Sequence, residues 1–294
     1  MPKYSIILPT YNSADEIMQS IKSCLNINYS DYELIISDNC SSDDTERLLS
    51  EVKSDKVKFF LHDKVLGKTD NWNRAYSYVN NSEYLISLHS GSMLDKDIFI
   101  NLDKIVNKNT SLIFGRNQEI SLDNKIKKHR KLFFFLKYNM NNYNFTKLIL
   151  SQPLVSIIGT CFKTEDFFSV GGWNNKYEEN QDTEMWLQLS KKGSVTYTPK
   201  VLGYFKTGKM NMNLLTNYFT RNLNFYYEKY FEYDKDFKGC AARALDYYMK
   251  GYIKYKIKNF DKNKFNEINK IIESNPNKIP NSIFCNYLKI ISIF

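Results

Sequence analysis

Three polar stretches, each closing an apolar run, hold the residues best suited to chemistry. Tyr84-Leu85-Ile86-Ser87-Leu88 stops at His89-Ser90-Gly91-Ser92, Tyr4 to Leu8 closes on Pro9-Thr10-Tyr11-Asn12, and Tyr32 to Ser37 ends in Asp38-Asn39-Cys40-Ser41-Ser42-Asp43-Asp44-Thr45. A parallel strand that ends in a polar turn is where open α/β sheets place their ligands. Asp38 and Tyr11 stand at two such strand ends, where they could meet a ligand. The same Asp- and Ser-rich run equally suits a helix cap or an Asx turn.

These turns need elements to position them, and the pattern around them supplies candidates. Ser13 with Glu16 reads as a capping box before a helix whose apolar face is Ile17, Ile21 and Leu25. A helix through Leu48, Leu49 and Val52 follows the second run, Val57 to Leu61 reads as a third strand, and a helix from about Thr69 to Val79 leads to Tyr84. Strand and helix thus alternate four times, which argues for a parallel sheet with helices on both faces. Right-handed crossovers bring the strand-to-helix turns to one sheet edge, so the three polar turns converge.

Beyond them the sequence predicts a helix starting near Asp95 and running through Phe99–Val106, and strands at Ser111–Glu119, Val155–Phe162 and Ser194–Thr198. It also predicts a tight turn at Gly171-Gly172-Trp173 and a helix over Asn180–Lys192 with Met185, Trp186 and Leu189 inward. The run Asn124–Leu136, with five Lys/Arg and His129 beside Leu132-Phe133-Phe134-Phe135, reads either as a solvated basic face over core aromatics or as a flap touching an acceptor or a membrane. After about Asn211 the pattern is helical, with amphipathic segments at Leu214–Tyr233, Phe237–Lys258, Phe265–Glu273 and Ile283–Ile293.

The 294 residues suffice for one α/β domain with an appendage, at 43% hydrophobic and 25% charged. Cys24, Cys40, Cys161, Cys240 and Cys285 show no metal-ligand spacing and read as free thiols. No signal segment is expected at the amino end, and no apolar run reaches the roughly 18–20 residues of a membrane span. The expectation is a cytoplasmic chain, peripheral at most. Of the net charge of +9, the stretch from Phe205 onward carries 16 Lys/Arg against 8 Asp/Glu, a surplus of 8. Lysines interleaved with tyrosines, as in Tyr252 to Lys258, suit an anionic membrane face, and no nucleic-acid motif is present, so nucleic acid is not the expected partner.

Five stretches together carry a family resemblance. Tyr4 to Asn12, Ile35 to Thr45 and Gly67-Lys-Thr-Asp-Asn-Trp-Asn-Arg-Ala75 resemble the nucleotide-binding half of inverting glycosyltransferases of family 2; Gly171-Gly-Trp173 and Gln181-Asp-Thr-Glu-Met-Trp-Leu187 resemble the acceptor half. The resemblance covers about residues 3–207. It implies a GT-A fold, an α/β architecture with a mixed, mainly parallel sheet flanked by helices, over residues 1–210. The nucleotide half would span about 1–110 and the acceptor half about 111–210, with residues 211–294 as a helical extension. It also implies transfer of a sugar, with inversion, from a nucleotide donor of UDP-sugar type to a glycan or lipid-linked glycan in bacterial-type surface polysaccharide synthesis.

Carried over position by position, Pro9, Thr10 and Tyr11 line the base and ribose, and Asp38 binds the base. Asn71 and Asn73 contact the donor, and His89 and Ser90 stand at its diphosphate. Asp182 matches the family's general base, which takes the acceptor hydroxyl's proton in a single displacement. Its helix-start position favours the ionised form; its bland role is a helix cap. Gln181 stands where the family has Glu.

Two positions depart from the pattern. The family usually has an acidic triplet whose last carboxylate binds Mn2+ or Mg2+, but Gly91 and Ser92 occupy those places, and Asp95-Lys96-Asp97 reads as the following helix's first turn. Where the family often has a histidine after a late strand, Tyr204-Phe205-Lys206-Thr207-Gly208 has glycine. The expected metal-ligand set is therefore none. Lys206 or Lys209, aided by His89, would stabilise the diphosphate as point cations. The alternative is a non-catalytic nucleotide-sugar-binding or scaffolding protein of the same fold.

Overall fold

The computed structural model describes residues 1–121, 139–151, 155–177 and 180–206, with scattered positions between Asn222 and Tyr248. The chain divides into two compact units. The first holds Met1–Phe145 and Val155–Gly208, and the second Thr146–Leu154 and Lys209–Phe294.

The first half of the large unit alternates as its sequence predicts: β1 (Tyr4–Thr10), α1 (Ile17–Leu25), β2 (Tyr32–Asp38), α2 (Thr45–Ser50), β3 (Val57–Leu61), α3 (Lys68–Tyr76) and β4 (Tyr84–Ser87). Every residue of β1, β2 and β4 is buried, as expected of β-branched and aliphatic strands covered on both faces. β2 and β4 flank β1, all parallel, and β3 lies outside β2. The strand order therefore reverses at β1, and the crevice beyond the carboxyl ends of β1 and β4 is a topological switch point.

The second half completes a mixed sheet through β5 (Met93–Leu94), α4 (Ile98–Asp103), β6 (Thr110–Ile120), β7 (Asn139–Met140), α5 (Asn142–Ser151), β8 (Cys161–Lys163), α6 (Thr164–Ser169), a 3-10 turn at Asn175–Tyr177, α7 (Gln181–Leu189) and β9 (Ser194–Lys206). The order is β3-β2-β1-β4-β8-β6-β9-β5, with β7 also on β9. β8 runs antiparallel between β4 and β6, and β5 and β7 run antiparallel to β9.

Several expectations need correction. No capping box forms: α1 starts at Ile17 after a turn in which the Ser13 carbonyl accepts the N–H groups of Glu16 and Ile17, while the Ser13 hydroxyl donates to Tyr11 O. The helix expected near Asp95 starts at Ile98, because Met93–Leu94 first pairs with β9. Of Val155–Phe162 only the end is strand, since Thr160 turns back to Ile157 and Gly159 takes a left-handed φ of 69°. The last strand passes Thr198 and runs to Lys206, because its pairing with β6 skips Pro199 and Lys200 as a bulge, which accommodates a proline that cannot donate. α5 and α6 had no counterpart in the sequence reading.

In the small unit, described positions are mainly helical: Tyr226 stacks on Tyr248 at 5.4 Å, and its hydroxyl donates to Ile149 O. Among the described residues no helix is long and apolar enough to cross a membrane. The basic run Asn124–Leu136, Lys209 and most of the expected carboxyl-terminal helices lie outside the described residues.

Candidate active site

At the switch point the three polar turns meet and are tied to one another. Asn12, whose small side chain tolerates a left-handed φ of 46°, takes Ser42 N–H on its Oδ1 and donates its own N–H to Ser41 Oγ, joining the β1 and β2 turns. Ser90 Oγ donates to Thr10 Oγ1 at 3.1 Å, joining the β4 turn. Asn39 exchanges two 2.9 Å hydrogen bonds with the backbone of Leu66 and accepts from Arg74, which holds the loop ahead of α3 against them.

These ties enclose a cavity of about 440 Å3 lined by Pro9, Thr10, Tyr11, Ser13, Asn39, Val65, Leu66, Lys68, Asn71, Trp72, His89 and Ser90. Tyr11 and Val65, both about half exposed, contribute apolar surface to this lining. The remainder is rich in hydroxyl, amide, imidazole and ammonium groups. Such a lining suits a ring joined to a polar, anionic group.

The structure brings Pro9, Thr10, Tyr11, Asn71, His89 and Ser90 together, as a set drawn from scattered positions. Asp38, Asn73, Asp182 and Lys206 are not among the residues that line the cavity, and Lys209 lies outside the described residues. Asp38 is buried beneath its own loop, with Oδ1 taking the Ser41 hydroxyl at 2.6 Å and Oδ2 the Ser41 N–H at 2.8 Å. This is the Asx turn that its sequence also allowed. Asn73 uses its amide nitrogen on Trp173 O and its oxygen on Trp173 N–H, clamping the Gly171-Gly172-Trp173 turn. Lys206 donates to Gln19 Oε1 at 2.7 Å, and Gln19 donates in turn to Gly91 O, so Lys206 reaches the β4 turn only through Gln19. His89 sits 4.7 Å from the Trp72 ring, and its buried Nε2 has no hydrogen-bond partner among the described residues. Burial, helped by the charge of Lys68, lowers its pKa to about 4. It is therefore a neutral imidazole near pH 7, offering a hydrogen bond and no charge.

Asp182 lies in the first turn of α7, and Oδ1 accepts the Thr183 N–H at 2.7 Å. Burial raises its pKa, opposed by that N–H and by the charge of Lys68. The helix-start effect expected to keep it readily ionised is outweighed by desolvation. A carboxylate of raised pKa accepts a proton more strongly than an ordinary one. Three contacts tie the start of α3 to the segment leading into α7: Thr69 Oγ1 donates to Gln181 Oε1 at 2.6 Å, Asn175 donates to Asp70, and Asn73 clamps Trp173. The Gln181 amide oxygen thus serves as acceptor where a Glu was expected.

Lys68, Asn39, Trp72 and the Val65–Leu66 pair line the cavity without having been singled out from sequence. A signal for Lys68 was present: it follows Gly67, the residue at the head of α3, and a cation in a first helical turn is poorly placed for helix stability.

A divalent metal at this turn would need hard oxygen ligands, carboxylates above all. The turn offers a neutral imidazole, a Ser90 hydroxyl already donating to Thr10, a glycine and buried Ser92. The Glu16 carboxylate lies against Gly91, where an added Cβ would meet Oε2, but among the described residues no cluster of three or more His, Cys, Asp or Glu is placed to hold a metal. Asp95 and Asp97 are engaged elsewhere, Asp95 accepting the Tyr204 hydroxyl and Asp97 accepting from Asn28. Among the described residues, those at this turn do not fit Mn2+ or Mg2+.

The family model described as Glycosyl transferase family 2 matches residues 5–167. The chain belongs to that family. It is 30% identical over 118 residues to a Campylobacter jejuni GalNAc(5)-diNAcBac-PP-undecaprenol beta-1,3-glucosyltransferase, covering 39% of this chain and 38% of that protein. It is 28% identical over 123 residues to the Escherichia coli UDP-Glc:alpha-D-GlcNAc-diphosphoundecaprenol beta-1,3-glucosyltransferase WfgD, covering 42% and 48%. The matched stretch spans less than half the length of either relative. Among solved structures, S. aureus TarS 1-349 in complex with UDP-GlcNAc superposes with a TM-score of 0.70 at 12% identity, covering 96% of this chain and 82% of that one. The mannosyltransferase PcManGT of Pyrobaculum calidifontis, in complex with GDP-Man and Mn2+, gives 0.63 at 14% identity, covering 99% and 87%. These likenesses establish the GT-A fold for this family 2 chain. Asp182 lies beyond the stretch that the family model matches.

Proposed function

We propose that this chain is an inverting glycosyltransferase that moves a sugar from a nucleotide donor of the UDP-sugar class to a hydroxyl of a lipid-linked glycan in bacterial-type surface polysaccharide synthesis. The observation that carries the reading is the tie between two places: a cavity at the β1/β4 switch point and, fastened to its wall through Thr69 and Gln181, the ionisable Asp182 at the head of α7. The base rests on Tyr11 and Val65, and the diphosphate points toward Thr10, His89 and Ser90. The acceptor hydroxyl attacks the anomeric carbon from the side opposite the diphosphate and gives its proton to Asp182. The bond from the anomeric carbon to the β-phosphate oxygen breaks, its electron pair staying on that oxygen. The relatives named for undecaprenol-linked substrates support a lipid-linked acceptor. The surplus of lysine and arginine after Phe205 supports a cytoplasmic chain in peripheral contact with an anionic membrane.

The test is to incubate the full chain with a panel of UDP-sugars and undecaprenyl-diphosphate-linked glycans, beside the Asp182→Asn variant. Transfer by the first and not the second, with UDP binding equal in both, supports the assignment. UDP binding without transfer on any acceptor would favour the non-catalytic alternative.

A further inference from the structure

Leaving diphosphate needs counter-charge, and the residues of the β4 turn do not fit the metal that would usually bring it. Lysine at position 68 is placed to do so. It is the first residue of α3, so its ammonium and the partial positive charge of that helix end stand together at one wall of the cavity. Its Nζ lies 5.2 Å from the centre of the Trp72 ring, and that ring lies 4.7 Å from His89. The His89 imidazole, also on the lining, keeps a buried nitrogen with no partner among the described residues, and in the Nε2–H tautomer that nitrogen can donate to a phosphate oxygen. Thr69, the next residue, is bonded to Gln181, the neighbour of Asp182, so one short stretch of α3 touches both the donor cavity and the acceptor side. Lys206 donates to Gln19 and is not among the residues that line the cavity.

We propose that Lys68, with His89 as a neutral hydrogen-bond donor, holds the donor's diphosphate in place of a metal, and that the same ammonium supports the ionised Asp182. The inference rests on the glycosyltransferase reading and deepens it. As the sugar leaves, the electron pair stays on the β-phosphate oxygen beside the Lys68 ammonium, while the acceptor proton passes to Asp182. One cation then faces the negative charge that grows on the leaving group and the negative charge that disappears at the base.

The test compares UDP, UMP and uridine binding to the full chain by calorimetry, in EDTA and in Mn2+, for wild type, Lys68→Met and Lys68→Arg. Wild type should bind UDP more tightly than uridine in EDTA. Lys68→Met should lose about 10- to 100-fold in UDP affinity with uridine affinity unchanged, as expected for a charge-assisted contact, and Lys68→Arg should keep most of it. Equal loss for UDP and uridine would mark Lys68 as structural and overturn the inference, as would a preference for UDP that survives Lys68→Met or needs Mn2+ in wild type. No UDP binding by wild type, with or without Mn2+, would instead overturn the UDP-sugar reading, so the two failures are distinct. In transfer assays, the acidic limb of kcat/KM should move to higher pH in Lys68→Met, because losing the ammonium raises the pKa of Asp182. An unmoved limb would remove the second half of the inference.

Discussion

The turn after β2 and the head of α7 each place an aspartate at the end of an element, and the two are treated differently. Asp38 has both oxygens met by Ser41, at 2.6 and 2.8 Å, inside its own loop. Asp182 takes the Thr183 N–H, stays desolvated enough for its pKa to rise, and feels the charge of a lysine on another element. A carboxylate met by donors of its own turn is held by that turn, whereas one that is desolvated and feels a remote cation has a shifted pKa. Identical side chains at similar sequence positions thus differ in what they can do.

The sharpest way to break this comparison is to neutralise each acid. Asp182→Asn should lower transfer by about 10²- to 10⁴-fold, the usual contribution of a general base, with unfolding unaffected or slightly improved. The sign follows from its raised pKa: the ionised form is disfavoured in the folded state, so the cost of Asp182 appears as pH rises from its unfolded pKa, and the amide removes it. Asp38→Ala should do the reverse, losing about 1–3 kcal/mol in urea unfolding by leaving the Ser41 donors unmet. A large fall in transfer with unchanged stability at Asp38 would instead favour a direct contact with the base.

Gly91→Ala should cost about 1–2 kcal/mol in stability, because Gly91 has a φ of 83° that suits only glycine well. Most of that loss should remain in a Glu16→Ala background, since the exposed Glu16 side chain can move aside from an added Cβ. Thr69→Val should cost about 1 kcal/mol by unfastening α3 from Gln181. Its larger signature should be a lower kcat at unchanged UDP affinity, measured in the same assays, because the tie joins Asp182 to the donor cavity.

Much of the nucleotide half was legible in the sequence. Its four strands read as apolar runs, and right-handed crossovers required their turns to converge, so Pro9, Thr10, Tyr11, His89 and Ser90 could be gathered without coordinates. The second half was less so. Strand β9 hid behind Pro199, which normally ends a strand, until a bulge in its pairing with β6 carried it on to Lys206. The short strand Met93–Leu94 has no periodicity to detect and exists through its pairing with Tyr204 and Gly203.

What the sequence by itself determined is the order of elements through β4, the convergence of their polar turns on one sheet edge, and the lack of carboxylates in the turn after β4. These follow from local pattern and from chain connectivity, which act along the sequence. Only tertiary structure decided how the polar groups are used. It directed Asn73 to Trp173 and Lys206 to Gln19, and set Lys68 at the cavity wall. Hydrogen-bond partners and desolvation depend on residues as much as 187 positions apart in the chain, as for Lys206 and Gln19, and no local spacing encodes them.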